Sequence, residues 1–308
     1  MNEQTVYWTA LSSLPGIGPA TARVLGERLG TPENVFHAPS EELERMGGLR
    51  RETLSALAEG ARYLDAARQT LATLEEEGFG AITPGDARYP RTLHDLGDPP
   101  PVLYTLGRPP RPSDRPVSVA GSTRPSDRGA GIARAAGREL ARAGRSVVSG
   151  YAPGIDSAAH RGALEAGGRT VLVLPMGVRA FRLRPAFRPF EGELGGRMTL
   201  VSECPPDDAW SSRGAVLRDR LIAALGEALL VVEARPESGT MITFRHALRL
   251  GRPAYVVKFR RAPPGASGNR LAIRAGGIPV EAMWALRKIA RAAKLPTAAP
   301  AARQGDLF

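Results

Sequence analysis

The sequence is nearly free of cysteine and has no long apolar run. Among its 308 residues Cys204 is the single cysteine, which excludes an internal disulfide and a cysteine-based metal cage and favours a reducing cytoplasm. No run of about 18 apolar residues occurs, and the opening residues MNEQTVYW have neither a basic start nor an apolar stretch. We therefore expect no membrane span and no secretory signal peptide.

Lysine is also scarce, because three lysines stand beside 39 arginines. Codon bias accounts for arginine in place of lysine. It does not account for where along the chain the surplus positive charge lies. Residues 1–80 carry a net charge of −5, and the remaining residues carry +16. This asymmetry indicates that the second part of the chain binds an anionic polymer. We interpret the surplus as a basic rim around the ends of strands, together with a basic tail.

The composition is that of a soluble globular protein, with 43% hydrophobic and 24% charged residues, and the length suits two domains. Residues 1–77 are predicted to be helical, with a single helix from about Arg51 to Glu77. Residues 78–116 are dense in Pro, Gly and Asp and predict an ordered, non-helical connector. Its apolar anchors are Leu93, Val102, Leu103, Tyr104 and Leu106.

From residue 117 to 258, short apolar runs alternate with helical patterns. The predicted strands are Val117–Ala120, Ser146–Ser149, Thr170–Leu174, Thr199–Ser202, Ala228–Glu233 and Ala254–Val257. The predicted helices are Gly129–Ala143, Ile155–Ala166, Arg213–Leu225 and Thr240–Leu250. This alternation predicts an α/β, Rossmann-like parallel sheet with helices on both faces, which binds ligands at the carboxyl ends of its strands. We expect domains at 1–77 and 78–280, and a short helix and flexible tail at 281–308.

The segment Leu14–Ala22, LPGIGPATA, has the pattern of a helix-hairpin-helix. Such a hairpin frees backbone amides at a helix N-terminus, which suits a DNA phosphate. The same hairpin also serves simply to pack two helices. The net charge of −5 favours packing or a protein contact, because phosphate binding needs a basic surround.

Three small-residue loops follow predicted strands and form the candidate site. The first, AGSTRPSDRGAG, contains Gly121, Ser122, Thr123 and Arg124, with Ser126 and Arg128 beyond them. In the second, SGYAPGIDSAAHRGAL, Gly150 and Gly154 permit a tight turn, Asp156 is expected to cap the next helix, and His160 is interpreted as a hydrogen-bonded structural residue. The third contains Ser238, Gly239 and Thr240. Each loop can cradle an anion or merely cap a helix, but their convergence on one sheet edge favours binding.

Basic and aromatic residues are interleaved after the third predicted strand. The basic residues are Arg179, Arg182, Arg184, Arg188 and Arg197, and Arg213, Arg218 and Arg220 open a later helix. The aromatic residues are Phe181, Phe187 and Phe190. Single-stranded nucleic acid requires cations along its backbone and rings for its bases. The sequence leaves open whether these rings are exposed or belong to the core.

Several segments resemble the DprA/Smf family (DNA-processing protein A) over about residues 80–280. The resemblance is carried by DPPPVLYTLG, GIDSAAHRGAL, the SGTMIT loop, GRPAYVV and GNRLAIRAGGIPV. It implies a non-enzymatic, cytoplasmic binder of single-stranded DNA that protects the strand, loads the RecA recombinase and forms a homodimer. It also places DNA at Gly121, Ser122, Arg124, the Gly150–Gly154 turn and the helix start with Arg218 and Arg220.

The chain departs from the family pattern at the expected pocket. Thr123 takes the place of an arginine that the family commonly has, Arg128 replaces a tyrosine, and Pro153 stands where arginine is usual. Asp219 replaces the asparagine of an Arg-Asn-Arg triplet. The C-terminal winged-helix domain of many members is also expected to be missing.

The last five residues, QGDLF, resemble a peptide that binds the bacterial sliding clamp. Gln304, Leu307 and Phe308 would fill its pockets from the end of an Ala/Pro tether. Chance accounts for such a short match equally simply.

Two other readings of the whole chain stay open. One is a nucleotide-binding or nucleotide-processing Rossmann protein, similar to the lysine-decarboxylase-like (LOG) enzymes. Their PGGxGTxxE pattern is absent, although Glu233 and Ser238-Gly239-Thr240 occupy a related place. The other is a sliding-clamp-tethered DNA-repair accessory factor. For the leading hypothesis we expect no catalytic residue, no metal and no cofactor.

Overall fold

The computed structural model describes residues 2–281 and 283–291. Its helices are α1 (Glu3–Ser13), α2 (Pro19–Leu29), α3 (Pro32–His37), α4 (Ser40–Met46), α5 (Arg51–Ala58), α6 (Gly60–Glu76), α7 (Asp127–Arg142), α8 (Ile155–Glu165), α9 (Ser212–Leu225), α10 (Gly239–Arg249), α11 (Asn269–Arg274) and α12 (Met283–Arg291). Its strands are β1 (Gly80–Ile82), β2 (Leu103–Leu106), β3 (Val117–Ala120), β4 (Val147–Gly150), β5 (Thr170–Val173), β6 (Met198–Ser202), β7 (Ala228–Val231), β8 (Ala254–Val257) and β9 (Ile278–Val280).

The chain divides into two compact units, Met1–Leu106 and Gly107–Phe308. The expected domain boundaries at 77/78 and 280/281 stay a prediction. None of the helices within residues 2–281 and 283–291 combines the length and the apolar character needed to cross a bilayer.

The first unit begins with a helical bundle around a small apolar core. The hairpin between α1 and α2 turns at Gly16, whose φ of 76° is in the left-handed region. The Thr53 hydroxyl donates to the Pro15 carbonyl at 2.7 Å and fixes the hairpin to α5. A structural role for this turn is consistent with these contacts. The predicted single helix over 51–77 is wrong, because the chain breaks at Glu59 between α5 and α6.

The connector after α6 is ordered, as its apolar anchors predict. Leu93, Val102, Leu103 and Tyr104 are buried. It also contains β1 and β2, which pair antiparallel and which the Pro/Gly-rich composition concealed.

In the second unit, strands β3 to β9 are parallel and lie in the order β6-β5-β4-β3-β7-β8-β9. The six strands expected from 117 to 258 are all present, within a residue or two of their predicted ends. The strand β9 was missed because Ile278 and Pro279 are exposed, so it lacks a continuous apolar pattern.

Helices cover both faces of this sheet, which confirms the predicted Rossmann-like class. One core lies between the sheet and α7, α8 and α12. The other lies between the sheet and α9, α10 and α11. Close packing of α7 on α8 depends on glycine, because a Cβ at Gly137 would overlap the Ala159 carbonyl, and one at Gly162 would overlap that of Arg134.

The strand order reverses direction at β3. From β3 the chain proceeds outward through β4, β5 and β6, and it then returns to place β7 on the other side of β3. The connections that leave the neighbouring strands β3 and β7 therefore run in opposite directions from the carboxyl ends of these strands. Open α/β sheets bind ligands at such a switch point.

Candidate nucleic-acid interface

A pocket of about 390 Å³ lies at this switch point. The loop after β3, the first turn of α8, the start of α9 and the loop before α10 line it. Its volume falls in the range of small-ligand sites. Predicted site residues that line it are Gly121, Ser122, Thr123, Arg218, Ser238, Gly239 and Thr240. The structure thus brings together residues up to 119 positions apart in the sequence.

Two further predicted residues, Gly150 and Gly154, do not line the pocket but lie against residues that do. A Cβ at Gly150 would overlap the Arg218 guanidinium, so only glycine leaves room for that group. Gly154 is the N-cap of α8 with φ 79°. A Cβ there would overlap the Ser122 carbonyl. Glycine is needed at both positions, because any side chain would overlap the Arg218 guanidinium at Gly150 or the loop backbone at Gly154. The sequence predicted such a tight turn here.

The Glu233 carboxylate binds the loop from β3 to α7. Glu233 is fully buried, and its side chain accepts hydrogen bonds from the Ser126 hydroxyl and from the Ser126 amide, the latter at 3.1 Å. Ser126 in turn accepts from the Gly129 amide at 3.1 Å and caps α7. Ser126 is therefore a helix cap, the second of the two roles that the sequence allowed for this loop, and the Glu233 carboxylate lies at the N-terminus of α7.

Asp156 provides the carboxylate of the second loop. It does not cap α8 as predicted, because the N-cap is Gly154 and makes no side-chain hydrogen bond. Asp156 instead accepts from the Ala152 amide at 3.4 Å and lies 3.7 Å from the Arg218 guanidinium. Burial raises the pKa of Asp156, and the nearby Arg218 charge opposes this rise.

Asp219 occupies the corresponding position beside the third loop. Its Oδ2 lies 2.9 Å from where a Cβ on Gly239 would stand, so the carboxylate meets the N-terminus of α10. Ser238, the N-cap, donates its hydroxyl to the Arg235 carbonyl at 2.7 Å and does not cap the helix. Burial raises the pKa of Asp219 to about 7; Arg218 opposes the rise and Asp156 adds to it.

Arg218 lies between these two carboxylates on the pocket floor. Its Nε is 3.6 Å from the Asp219 Oδ1, and its side chain is 10% exposed. Within the described part of the chain this Nε makes no hydrogen bond. The floor therefore has two carboxylates, one guanidinium and one buried N–H that lacks an acceptor.

The predicted residue Arg220 lies elsewhere. Its guanidinium contacts the Glu203 carboxylate at 2.6 Å, and both side chains are buried. Its predicted contact with DNA is untested. The position two residues after Arg218 on α9 turns it away from the floor, since helical neighbours at that spacing do not share a face.

His160 is the structural residue that the sequence predicted. It is fully buried, with Nδ1 2.6 Å from the Thr170 hydroxyl and Nε2 2.6 Å from the Gly150 carbonyl. Burial lowers its pKa to about 4. The neutral ring donates from Nε2 to Gly150 and thereby anchors the end of β4 behind the pocket.

Three exposed arginines lie in or directly after the pocket lining. Arg235 lines the pocket, and Arg124 and Arg213 follow the lining residues Thr123 and Ser212 in the chain. None of these three guanidinium groups forms an ion pair with another described residue. We call Arg124, Arg213 and Arg235 the rim arginines.

The arginine-rich segment 179–197 is organised differently, because most of its side chains contact the protein. Arg179 binds Asp207 at 2.9 Å, Arg182 donates to the Arg179 and Phe181 carbonyls, Arg184 stacks over Tyr151 at 4.3 Å, and Arg197 pairs with Glu193.

Two of the three aromatic residues of this segment pack against the protein. Phe187 is fully buried and packs against Tyr151, with ring centroids 5.6 Å apart, and Phe181 packs on the same tyrosine at 5.0 Å. The alternative that the sequence left open is thereby decided for Phe187: it belongs to the core and is not a stacking surface for bases.

An exposed tryptophan at the pocket mouth was missed. Trp210 lines the pocket and is 61% exposed, and Val216 beside it is 49% exposed. The sequence did contain a signal, because Trp210 stands in PPDDAWSSRG, where no apolar periodicity would place it in a core. A large ring exposed beside a pocket is typical of a binding surface.

The described residues contain no group of three or more His, Cys, Asp or Glu side chains arranged to hold a metal. Burial raises the pKa of the Cys204 thiol, so it has little thiolate character. Gln304, Leu307 and Phe308, the predicted clamp-binding residues, lie outside the described residues.

The doubly covered parallel sheet, with a pocket at its switch point, defines a Rossmann-like α/β protein. A family model for DNA recombination-mediator protein A matches residues 80–289. Protein Smf of Synechocystis sp. is 31% identical over 258 residues, which are 82% of this chain and 64% of that protein. The chain belongs to the DNA recombination-mediator protein A family, which confirms the resemblance seen in its motifs. It spans less than two thirds of the length of the Synechocystis relative.

Two solved structures are similar to the chain. DNA processing protein A from Streptococcus pneumoniae superimposes with a TM-score of 0.73 at 25% identity, covering 94% of this chain and 98% of that one. DNA processing protein A from Helicobacter pylori, described as having a unique single-stranded DNA binding mode, gives a TM-score of 0.58 at 22% identity. That match covers 68% of this chain and 94% of the other, and it supports the fold alone.

Proposed function

We propose that this chain binds single-stranded DNA at the switch-point pocket. The observation that carries the proposal is the exposed Trp210 ring, which lines the pocket together with Arg235. The family membership of the chain supports the same function.

The proposed contacts divide into two kinds. The rim arginines follow the phosphate backbone, and the Trp210 ring stacks on a base. Gly121, Ser122, Thr123, Ser238, Gly239 and Thr240 form the walls between them. A duplex keeps its bases stacked inside, so its bases do not reach Trp210, and single strands are preferred.

A salt titration of binding to matched single-stranded and double-stranded oligonucleotides tests this proposal. For single strands, the logarithm of the affinity falls with a slope of about −0.7 per phosphate contacted. We expect a slope of about −2 or steeper from the rim arginines alone, and weaker binding of the duplex. Equal affinity for both forms, or no binding at low salt, would refute the proposal.

The absence of catalysis belongs to the same proposal. A nucleotide-processing enzyme of the LOG type would use Glu233 and the Ser238–Thr240 loop together. Glu233 is buried against Ser126 and Gly129 and does not line the pocket. Incubation with nucleoside monophosphates, followed by chromatography, should therefore yield no free base; release of a base would favour the enzyme.

We extend the proposal to the biological setting that the family resemblance implies. The protein would act in the cytoplasm as a homodimer, protect single strands and help load the RecA recombinase. Light scattering tests the dimer. A RecA filament assay on strands coated with single-stranded DNA-binding protein tests loading, which should fail when the rim arginines are replaced.

The C-terminal peptide supports a separate proposal, contact with the replication sliding clamp. Removal of residues 304–308 should abolish co-elution with the clamp and leave DNA binding unchanged. Unchanged co-elution would remove the clamp, and with it the tethered repair factor, from consideration.

A further inference from the structure

Positive charge also gathers at the amino ends of the parallel strands, on the opposite edge of the sheet from the pocket. Arginines stand within two residues of the starts of β3, β4, β5 and β6, namely Arg115, Arg145, Arg169 and Arg197. The strands between the two edges have four or five residues, so the edges lie at least about 13 Å apart. The amino edge is therefore a surface separate from the pocket.

Residues 107–116, which we call the edge segment, run along this amino edge. At one end the Arg108 carbonyl accepts a hydrogen bond from the Thr199 hydroxyl of β6 at 3.1 Å. At the other end the Asp114 carbonyl accepts from the amide of Ser146, just before β4, at 2.9 Å. Since β5 lies between β6 and β4, the edge segment crosses the amino end of β5.

The edge segment is held in one conformation. Four of its ten residues, GRPPRPSDRP, are prolines, whose rings fix φ. It ends at Arg115, whose φ of 46° is the one positive value among the described residues other than glycine. The buried Arg145 guanidinium donates to the Arg115 carbonyl at 3.2 Å and pairs with Glu227 at 2.9 Å. Side chains on such a fixed segment bind a ligand at little cost in conformational entropy.

Cations outnumber acids where the edge segment passes β5. The acid is Asp114, and the Arg108 guanidinium donates to both of its carboxylate oxygens at 2.8 Å. The Arg111 backbone amide also donates to Asp114, at 2.8 Å, while the Arg111 side chain is exposed. Arg169 donates to the Gly196 carbonyl at 3.2 Å and is half-buried. Within the described part of the chain neither Arg111 nor Arg169 forms an ion pair, and we call these two the edge arginines.

The guanidinium groups at this point repel one another. Burial lowers the pKa of Arg169, and the charge of Arg108 lowers it further. Asp114 opposes this change, and Arg111 adds to it. One carboxylate thus stands against three guanidinium groups. An anion bound beside Arg169 would relieve their repulsion.

We propose that the edge segment and Arg169 form a second nucleic-acid surface, which binds the sugar–phosphate backbone through the edge arginines. The inference goes beyond the pocket and does not depend on it. The edge segment contains no aromatic residue, so this surface offers charge but no ring for a base. Phosphate contacts carry no sequence information, and the surface should therefore bind single strands and duplexes alike.

A phosphate backbone fits this surface better than a single small anion does. Neighbouring strands lie about 4.7–4.9 Å apart, so the edge segment spreads its cations over roughly 10 Å between β6 and β4. A nucleic acid places phosphates at regular intervals along such a line, and each phosphate can take a bidentate contact from one guanidinium. The family to which the chain belongs favours the same class of ligand.

The edge surface is tested in a background without the rim arginines. The rim variant, Arg124→Ala, Arg213→Ala, Arg235→Ala, is combined with Arg111→Ala and Arg169→Ala. Binding of a single strand and of a duplex is followed by anisotropy from about 50 mM salt upward. Both affinities should fall on the order of 30-fold, because two charged contacts are lost. The salt slope should become shallower by about 1.4 for the single strand and about 1.8 for the duplex.

The matched control replaces two arginines that already have an acidic partner. Arg134 and Arg138 on α7 contact Glu165 at 2.6 Å and 3.4 Å. Adding Arg134→Ala and Arg138→Ala to the rim variant removes the same two charges and should change binding less than about three-fold. Equal losses in the two combinations would show that total charge alone sets the residual affinity, and the edge surface would be wrong.

A single substitution keeps the test valid if the combined variant fails to fold. Replacement of Arg169 removes its bond to the Gly196 carbonyl, whereas the Arg111 side chain is exposed. Arg111→Glu in the rim variant should bind both ligands more weakly than Arg111→Ala, at an unchanged melting temperature. Equal binding by these two variants would show that no phosphate lies near Arg111.

Inorganic phosphate distinguishes a backbone from a single anion. Supplied at the same concentration of phosphate groups and at constant ionic strength, it should leave the oligonucleotide bound to the rim variant. Displacement would mean that the edge holds one phosphate and not a strand, which contradicts the proposal.

The remaining outcomes separate the edge surface from the pocket. If the parent binds no nucleic acid at low salt, both are refuted. If the rim variant binds as tightly as the parent and then loses affinity with the edge arginines, the pocket is refuted and the edge surface stands. Loss of all binding in the rim variant, or residual binding that is unchanged without the edge arginines, would refute the edge surface and leave the pocket intact.

Discussion

Two arginine-rich regions of the second unit have similar composition and different surroundings. In the segment 179–197, Arg179, Arg184 and Arg197 contact Asp207, Tyr151 and Glu193. The rim arginines Arg124, Arg213 and Arg235 are exposed and have no such acidic partner in the described part of the chain. The comparison teaches that the number of arginines alone does not distinguish a region that is paired within the protein from one that is exposed to solvent.

The aromatic residues of the two regions differ in the same way. Phe187 of the segment is buried against Tyr151 and His160. Trp210 at the rim is mostly exposed. The first region packs most of its cations and two of its rings against the protein, and the second leaves them exposed to solvent.

Replacement of the rim arginines should produce the largest difference between the regions. The triple variant Arg124→Ala, Arg213→Ala, Arg235→Ala should bind single-stranded DNA on the order of 100-fold more weakly, since each charged contact contributes about 1 kcal/mol. The matched triple Arg179→Ala, Arg184→Ala, Arg197→Ala should bind within about three-fold of the parent. Similar losses in both triples, measured by anisotropy at fixed salt, would show that only total charge matters.

The pH dependence of stability should reveal His160, the buried residue on α8 that contacts Phe187 of the segment. The pKa of His160 is about 4 in the folded protein and about 6.5 when unfolded, so the unfolded state binds the extra proton between these values. Stability from this residue is complete above about pH 6.5 and falls by roughly 3 kcal/mol as the pH drops to 4.

Urea unfolding from pH 7 to pH 4 measures this effect. His160→Gln should unfold with a flatter pH profile, whatever its stability at pH 7. His37 lies in the first unit and is no more than partly buried, so His37→Gln is the control and should keep the parent slope. An unchanged slope in His160→Gln would contradict the assignment.

Much of the fold could be predicted from the sequence because its signals are local. Apolar runs such as Ala228–Val231 and helical patterns such as Ile155–Glu165 identify a parallel sheet covered on both faces. Strands β1 and β2 were missed because they lie in a segment rich in Pro and Gly, and β9 was missed because two of its three residues are exposed. The break in the helix over 51–77 was missed because Glu59 and Gly60 do not interrupt the apolar face.

The site was only partly predictable, since its key contacts join distant segments. Small residues at strand ends correctly indicated the loops that line the pocket. Nothing local reveals that Glu233 closes the loop at Ser126, which is 107 positions away, or that Arg218 on α9 meets Asp156 on α8. Trp210 does have a local signal in the sequence, because its large ring stands among polar residues.

Trp210 allows a sharper test of the aromatic comparison. Trp210→Ala should weaken binding of single-stranded DNA about ten-fold, because stacking contributes roughly 1–3 kcal/mol per base. Its melting temperature should stay close to that of the parent, since the ring is exposed. Trp210→Phe should recover much of the affinity, whereas a lower melting temperature for Trp210→Ala would mean that the ring supports the fold.

The smallest effect is expected at Arg184, where a single contact within the segment can be removed. Its guanidinium carbon lies 4.3 Å from the Tyr151 ring centre, and such a cation–π contact contributes about 0.5–2 kcal/mol. Arg184→Leu keeps much of the packing and removes the charge, so it should lower the free energy of unfolding by about 1 kcal/mol and change DNA affinity less than two-fold. Because the Arg184 backbone amide also donates to the Tyr151 hydroxyl at 2.6 Å, the tyrosine stays anchored in the variant. A large loss of DNA affinity without loss of stability would show that Arg184 contacts DNA. Part of the segment 179–197 would then belong to the binding surface.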